Sequence, residues 1–213
     1  NIFFSYKNDE NYIIKNINFE IKKGDRIGIK GTTGSGKSTL GNILIGLLDP
    51  TKGKLLIDDI LINSKNKSGW QRNISVIPQN IFLNDASIAE NIAIGIEKNK
   101  IDLEKIKKVT KQAQISDFIE SKPNQYYEKV GERGVRLSGG QKQRIGIARA
   151  LYREAKIILF DEATNQLDVD TETSIMNSIY SLDKDITVIL IAHRLSTLDN
   201  CNKIIDLSKD FKN

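Results

Sequence analysis

At 213 residues, 39% hydrophobic and 28% charged, the chain is long enough for one large domain with a substantial core, or two small ones. The net charge of +5 is mild and the lysines are interspersed with acids, which argues against a nucleic-acid face: Lys98, Lys100, Lys105, Lys107, Lys108 and Lys111 read as a solvated helix surface. No apolar run approaches the ~18–20 residues that span a bilayer, no signal-peptide pattern is seen, and the single cysteine, Cys201, excludes an internal disulfide and fits a reducing compartment. The first residue is Asn1, inside a predicted strand, so the chain is expected to be a piece of a longer protein.

In chain order, Ile2–Tyr6 and the alternating stretch Tyr12–Ile21 predict strands, and Lys22-Lys23-Gly24-Asp25 a tight turn into a third strand ending at Lys30. Then comes Gly31-Thr32-Thr33-Gly34-Ser35-Gly36-Lys37-Ser38-Thr39, which fits G-x-x-x-x-G-K-[ST] at every fixed position. Leu40–Leu48 follows at near-helical spacing, and Asp49-Pro50 is expected to end that helix. Strand, glycine-rich turn and helix are the context this motif requires. Glycines let the backbone approach a polyphosphate, and successive N–H groups at a helix N-terminus form an anion nest. Lys37 adds a positive charge for the terminal phosphates, and Ser38 a hydroxyl for Mg²⁺, a hard cation that prefers oxygen. The loop predicts binding of a nucleoside triphosphate.

Lys54–Asp59 and Ile60–Ile62 predict a small antiparallel addition, and Ile74–Ile77 a buried strand stopping at Pro78-Gln79. From Asn80 to Glu132 the pattern turns helical, over Ser87–Ile94, Asp102–Gln114 and Ser116–Ile119, with Ser87 and Asp102 as N-caps. After Gly139 the α/β rhythm resumes: helix Gln141–Ala150, strand Ile157–Phe160, helix Val169–Ser181, strand Thr187–Ile191 and strand Lys203–Leu207. Ile157–Phe160 is a short apolar run closed by Asp161-Glu162, as a buried parallel strand reads, and ligands bind at the C-terminal ends of such strands. Asp161 is expected to face the Mg²⁺, and Glu162 to activate or orient an attacking water.

Leu137-Ser138-Gly139-Gly140-Gln141 opens the helix that follows it, capped by Ser138. It is a second glycine-rich helix start, and one nucleotide does not need two from one chain. Here the chain resembles the nucleotide-binding domain of an ATP-binding cassette (ABC) transporter, whose signature sequence Leu137–Gln141 matches without departure. The resemblance covers essentially the whole chain. It implies an α/β fold with a phosphate-loop NTPase core, a mixed and mainly parallel sheet, an N-terminal antiparallel β subdomain and an inserted helical lobe. One domain over 1–213 is expected, with 1–79 and 141–213 as the ATP-binding core lobe and 80–140 as the helical lobe carrying the signature.

The resemblance also implies a head-to-tail dimer with ATP and Mg²⁺, in which Ser138, Gly139, Gly140 and Gln141 of one copy complete the site on the other copy's Gly31–Thr39 loop. Tyr6 is similar to the aromatic that stacks on adenine. Gln79 resembles the glutamine that coordinates Mg²⁺ and senses the membrane partner. His193 matches the histidine at the γ-phosphate, and Asp168 the loop crossing the dimer interface, although Asn165-Gln166 replaces a small pair usual there. Lys37, Gln79, Glu162 and His193 are the implied catalytic set, and Ser38, Gln79 and Asp161 the implied metal set. Lys129–Gly134 and Asp85–Gly95 are similar to exporter-type segments, with some likeness to flippases of lipid-linked oligosaccharides. An exporter implies a transmembrane domain on the same full-length chain and a place at the cytoplasmic face of the membrane. The alternative is the ATPase of a soluble, non-transporter ABC protein. A small-molecule kinase with the same loop leaves Leu137–Gln141 unexplained.

Overall fold

The fold was analysed in a computed structural model, which describes residues 1–7, 11–164, 167–192 and 194–208, with the backbone alone of Leu195 and Ser196. The chain forms two compact units: 1–75 with 156–162 and 184–213, and 76–155 with 163–183.

In the first unit, β1 (Ile2–Phe4) pairs antiparallel with β2 (Ile14–Ile17). The strand expected over Tyr12–Ile21 is cut to four residues, and Asn16 inside it has a φ of 51°, which a pleated ladder does not continue. β3 (Arg26–Lys30) leads into the phosphate loop, and α1 (Lys37–Leu44) leaves it. Next come β4 (Leu56–Ile57) and β5 (Ile60–Leu61), an antiparallel hairpin as expected. Its two turn residues, Asp58 and Asp59, have φ of 47° and 62°, the left-handed pair whose twist suits a two-residue turn. α2 (Lys67–Gln71) follows, and β6 (Ile74–Pro78) runs from the end of this stretch into the second unit. β7 (Ile157–Asp161), β8 (Thr187–Ile191) and β9 (Lys203–Asp206) complete a five-stranded sheet in the order β6-β7-β8-β3-β9. β3 runs parallel to β8 and β9, and β7 parallel to β8. The mainly parallel sheet and separate antiparallel pairs match the fold class read from the sequence.

All five residues of β8 are buried, as expected of a strand covered on both faces. Leu40 and Ile43 of α1 join Ile27, Ile29, Leu159, Ile189 and Ile191 in one apolar core. The helix ends at Leu44 rather than at Asp49-Pro50: the Gly46 amide turns back to the Ile43 carbonyl at 3.0 Å, leaving Leu47 61% exposed. α2 supplies the reason. Trp70 Nε1 donates to the Leu44 carbonyl at 2.9 Å and Gln71 Nε2 to the Gly46 carbonyl at 3.0 Å, so side chains 26 and 25 residues away satisfy acceptors the helix end leaves open. Five residues of helix carry no readable period, and the sequence reading passes over α2.

The second unit is helical: α3 (Ile88–Ile92), α4 (Leu103–Gln112), α5 (Ser116–Glu120), α6 (Gly139–Tyr152) and α7 (Val169–Tyr180). Both predicted caps form: Ser87 Oγ accepts from the Glu90 amide at 3.2 Å, and Asp102 Oδ1 from the Lys105 amide at 3.0 Å. α6 packs on α3, α4 and α7, burying Ile145, Ile147, Ala148 and Leu151. Arg144 fastens it: its guanidinium donates to the Ala113 carbonyl at 3.1 Å and to Ser178 and Ser174 hydroxyls at 2.7 and 2.8 Å. Arg149 Nε donates to the Asn91 carbonyl at 2.9 Å. These charged contacts decide where α6 belongs, and no sequence period announces them.

Candidate functional site

The phosphate loop lies at the C-terminal end of β3, and Asp161 at the same end of β7. An open cavity of about 290 Å³ is lined by Ile13, Thr33, Gly34, Gly36, Lys37, Ser38, Thr39 and Glu162. The local chain explains its shape. Gly36 caps α1 in the left-handed conformation, φ 92°, where no side chain closes the helix start. A Cβ there would sit 2.7 Å from Ile14 Cδ1 and 3.0 Å from Ile13 Cγ2, so glycine is required by both backbone and space. With no side-chain cap and no acidic residue in the first turn of α1, its N-terminal amides and dipole are left open to an anion. Ile13 is a lining residue missed at the sequence level; only its place in the alternating stretch before the loop hinted at it.

Lys37 is 5% exposed, and its Nζ donates to the Gly31 and Thr32 carbonyls at 3.0 and 3.1 Å. The ammonium is thus stored inside the loop that would receive phosphate. Ser35 Oγ is buried with no partner among the described residues. Ser38 Oγ donates to Asp161 Oδ1 at 3.4 Å. Tyr6 is 62% exposed, yet its hydroxyl lies 3.2 Å from Thr39 Oγ1 and its ring edge-on to Phe4 at 4.9 Å. An exposed aromatic face is therefore held beside the loop.

Glu162 follows Asp161 with φ 54° while its amide donates to the Ile191 carbonyl at 3.0 Å. A non-glycine residue held at positive φ costs on the order of 1 kcal/mol and persists where the surroundings enforce it, often at functional sites. Burial raises the Asp161 pKa above the usual carboxylate value, and the neighbouring Glu162 charge adds to this, against the lowering effects of Ser38 and Lys37. Two oxygens, the Ser38 hydroxyl and the Asp161 carboxylate, meet beside the phosphate loop with a charge that the fold penalises; a hard divalent cation fits this donor set and would relieve the penalty.

The same shift has a stability consequence. A carboxyl whose pKa is raised on folding holds its proton more tightly folded than unfolded. Its ionisation therefore costs stability as pH rises through the folded pKa, and the cost is absent below the unfolded value. Asp161→Asn is expected to raise the nucleotide-free unfolding temperature at pH 7, with the gain shrinking as pH falls below the usual carboxylate range, while ATP turnover falls. Calorimetry at pH 7 and below that range checks it; an unchanged melting temperature at pH 7 contradicts it.

In the second unit, Ser138 caps α6: its Oγ accepts from the Gln141 amide at 3.3 Å, and Gln141 Oε1 accepts from the Ser138 amide at 2.9 Å. The Gln141 side chain thus closes the helix start, leaving the first two helix amides, those of Gly139 and Gly140, without an intrahelical acceptor. The glycines also serve packing. A Cβ on Gly140 would lie 2.5 Å from Thr171 Cγ2 of α7, so the close approach of the two helices there leaves little room for a larger residue; one on Gly139 would meet the movable end of Leu167 at 2.9 Å. Asp168 caps α7, accepting from the Thr171 amide at 2.9 Å, and that amide holds its pKa below the usual value. Gln79 is half-buried just past β6. His193, Asn165 and Gln166 lie outside the described residues.

Residues 14–165 match the family model described as ABC transporter. The chain is 40% identical over 204 residues to the ATP-dependent lipid A-core flippase of Idiomarina loihiensis, covering 96% of this chain and 35% of that protein. It is 43% identical over 211 residues to the alpha-hemolysin translocation ATP-binding protein HlyB of Escherichia coli O157:H7, covering 99% and 30%. Among solved structures, a bacterial Atm1-family ABC exporter with ATP bound superposes with a TM-score of 0.84 at 38% identity, over 98% of this chain and 36% of that one. The chain therefore spans about a third of the length of these relatives. They are named as a flippase, a translocation protein and an exporter, which supports the transporter branch over the soluble ABC alternative. The phosphate loop, the acid-ended strand and the signature helix are those of a chain that belongs to the ABC transporter family, as its ATP-binding ATPase domain.

Proposed function

We propose that the domain hydrolyses Mg-ATP in a head-to-tail pair with a second copy, and that closing and reopening of the pair drives export through a transmembrane domain, with the ATPase at the cytoplasmic face. The observation that carries the reading is the one cavity lined both by Lys37 and Ser38 of the phosphate loop and by Glu162 just past β7.

In this mechanism the exposed Tyr6 face takes the adenine, and the α1 amides with Thr39 take the phosphates. Lys37 exchanges its two carbonyl partners for the terminal phosphates, trading neutral acceptors for charged ones. Ser38, Asp161 and Gln79 would hold the magnesium, whose contribution is to neutralise phosphate charge. The partner copy supplies Ser138, Gly139 and Gly140 to the γ-phosphate. Glu162 accepts a proton from the attacking water as its oxygen bonds to the γ-phosphorus, and the β–γ bridging oxygen leaves on ADP; His193 steadies the γ-phosphate. Catalysis of this kind is mainly positioning and charge stabilisation. Loss of the bridging phosphate removes what joins the two copies, and Gln79 with the Lys129–Gly134 segment passes the motion to the transmembrane part. Cargo choice is assigned to that part, because relatives of this one domain are named for cargoes as unlike as lipid A-core and a hemolysin.

Ser138→Arg tests the composite site. The substitution is expected to leave ATP affinity of the single copy within about twofold and to lower hydrolysis by at least about tenfold, with loss of the ATP-dependent doubling of solution mass. Hydrolysis at the wild-type rate would mean that one copy suffices.

A further inference from the structure

Gln143 on α6 is 4% exposed. Its Nε2 donates to the Gln79 carbonyl at 2.9 Å and to the Pro78 carbonyl at 3.4 Å, while its Oε1 is buried with no partner among the described residues. The amide orientation follows from this: turned over, Oε1 would face two carbonyl oxygens. A buried acceptor left without a donor is unfavourable, so the donor end of this side chain is held in place at the expense of the other end. Three residues along the same helix, Gly146 leaves room for the same segment; a Cβ there would stand 2.8 Å from Ile81 Cδ1 and 3.5 Å from Ile77 Cγ2. The stretch Ile77–Ile81 is thus attached to α6 at two points, by apolar contact at Gly146 and by the Gln143 amide between.

We infer that Gln143 is a positioning residue for Gln79, clamping the carbonyls on either side of the Gln79 Cα so that its side chain leaves the backbone in one direction. The clamp also makes Gln79 and the helix opened by Ser138 move as one body. The inference rests on the reading that Gln79 takes part in hydrolysis. Packing alone would be served by any side chain of the same length, whereas the clamp needs a neutral donor at the position of Nε2.

The test uses Gln143→Met, which keeps the length without a donor, and Gln143→Asn, which keeps the amide but falls short of the carbonyls. In folded variants kcat for ATP is expected to drop about tenfold with KM within about twofold. Amide exchange at Gln79, Asn80 and Ile81 is expected to quicken about tenfold. Wild-type kcat in folded Gln143→Met, or exchange unchanged at Gln79, overturns the inference. Should neither variant fold, the wild-type chain decides: slow exchange of the Gln143 side-chain amide protons supports the clamp, and exchange at the rate of an exposed glutamine overturns it. A wild-type chain without ATPase activity would instead sink the hydrolysis reading, and the exchange data would still decide the clamp.

Discussion

Glu162→Gln is expected to lower ATP turnover about 10²–10³-fold while nucleotide affinity stays within about twofold, because a positioned general base contributes on that scale and a neutral amide keeps the shape. Glu162 lines the loop cavity, and its backbone at φ 54° aims a carboxylate that an ordinary strand end would carry elsewhere. The amide cannot accept the water's proton, so ATP should persist in the closed pair, and solution mass in Mg-ATP should double. Single-turnover kinetics beside a mass measurement separates the two effects. Undiminished turnover would remove the general-base assignment. Loss of binding together with turnover would make Glu162 a binding residue instead.

Lys37→Ala is the other large effect. Its ammonium is almost wholly buried and held by two loop carbonyls, so the wild-type chain needs only a local exchange of partners to meet phosphate. Hydrogen bonds to charged groups contribute about 1.5–3 kcal/mol each; losing them should weaken ATP binding about 10²-fold and AMP binding far less, since AMP lacks the terminal phosphates. Titration calorimetry with both nucleotides makes the comparison. Equal losses for ATP and AMP would indicate a collapsed loop, and no loss for ATP would take Lys37 out of the phosphate site.

Much of this was legible in order along the chain. The Gly31–Thr39 loop announces itself because phosphate chemistry needs glycines, a lysine and a hydroxyl at fixed short spacing. The apolar run into Asp161-Glu162 is legible because a strand buried on both faces has no polar period. Caps such as Ser87, Asp102 and Ser138 are readable because each acts on an amide only three residues away.

What tertiary structure decided lies at longer range. The end of α1 is set by Trp70 and Gln71, the place of α6 by Arg144 and its serines, and the segment around Gln79 by an amide 64 residues away. The fixed close approach of Gly140 to Thr171 gives one residue a packing reason beside its proposed phosphate role. The family resemblance, the strand–loop–helix unit and the chemistry it serves are readable along the chain, since they depend on neighbouring residues. Only the folded chain decided which buried donor meets which carbonyl, because such pairing depends on distances through space that no local pattern encodes.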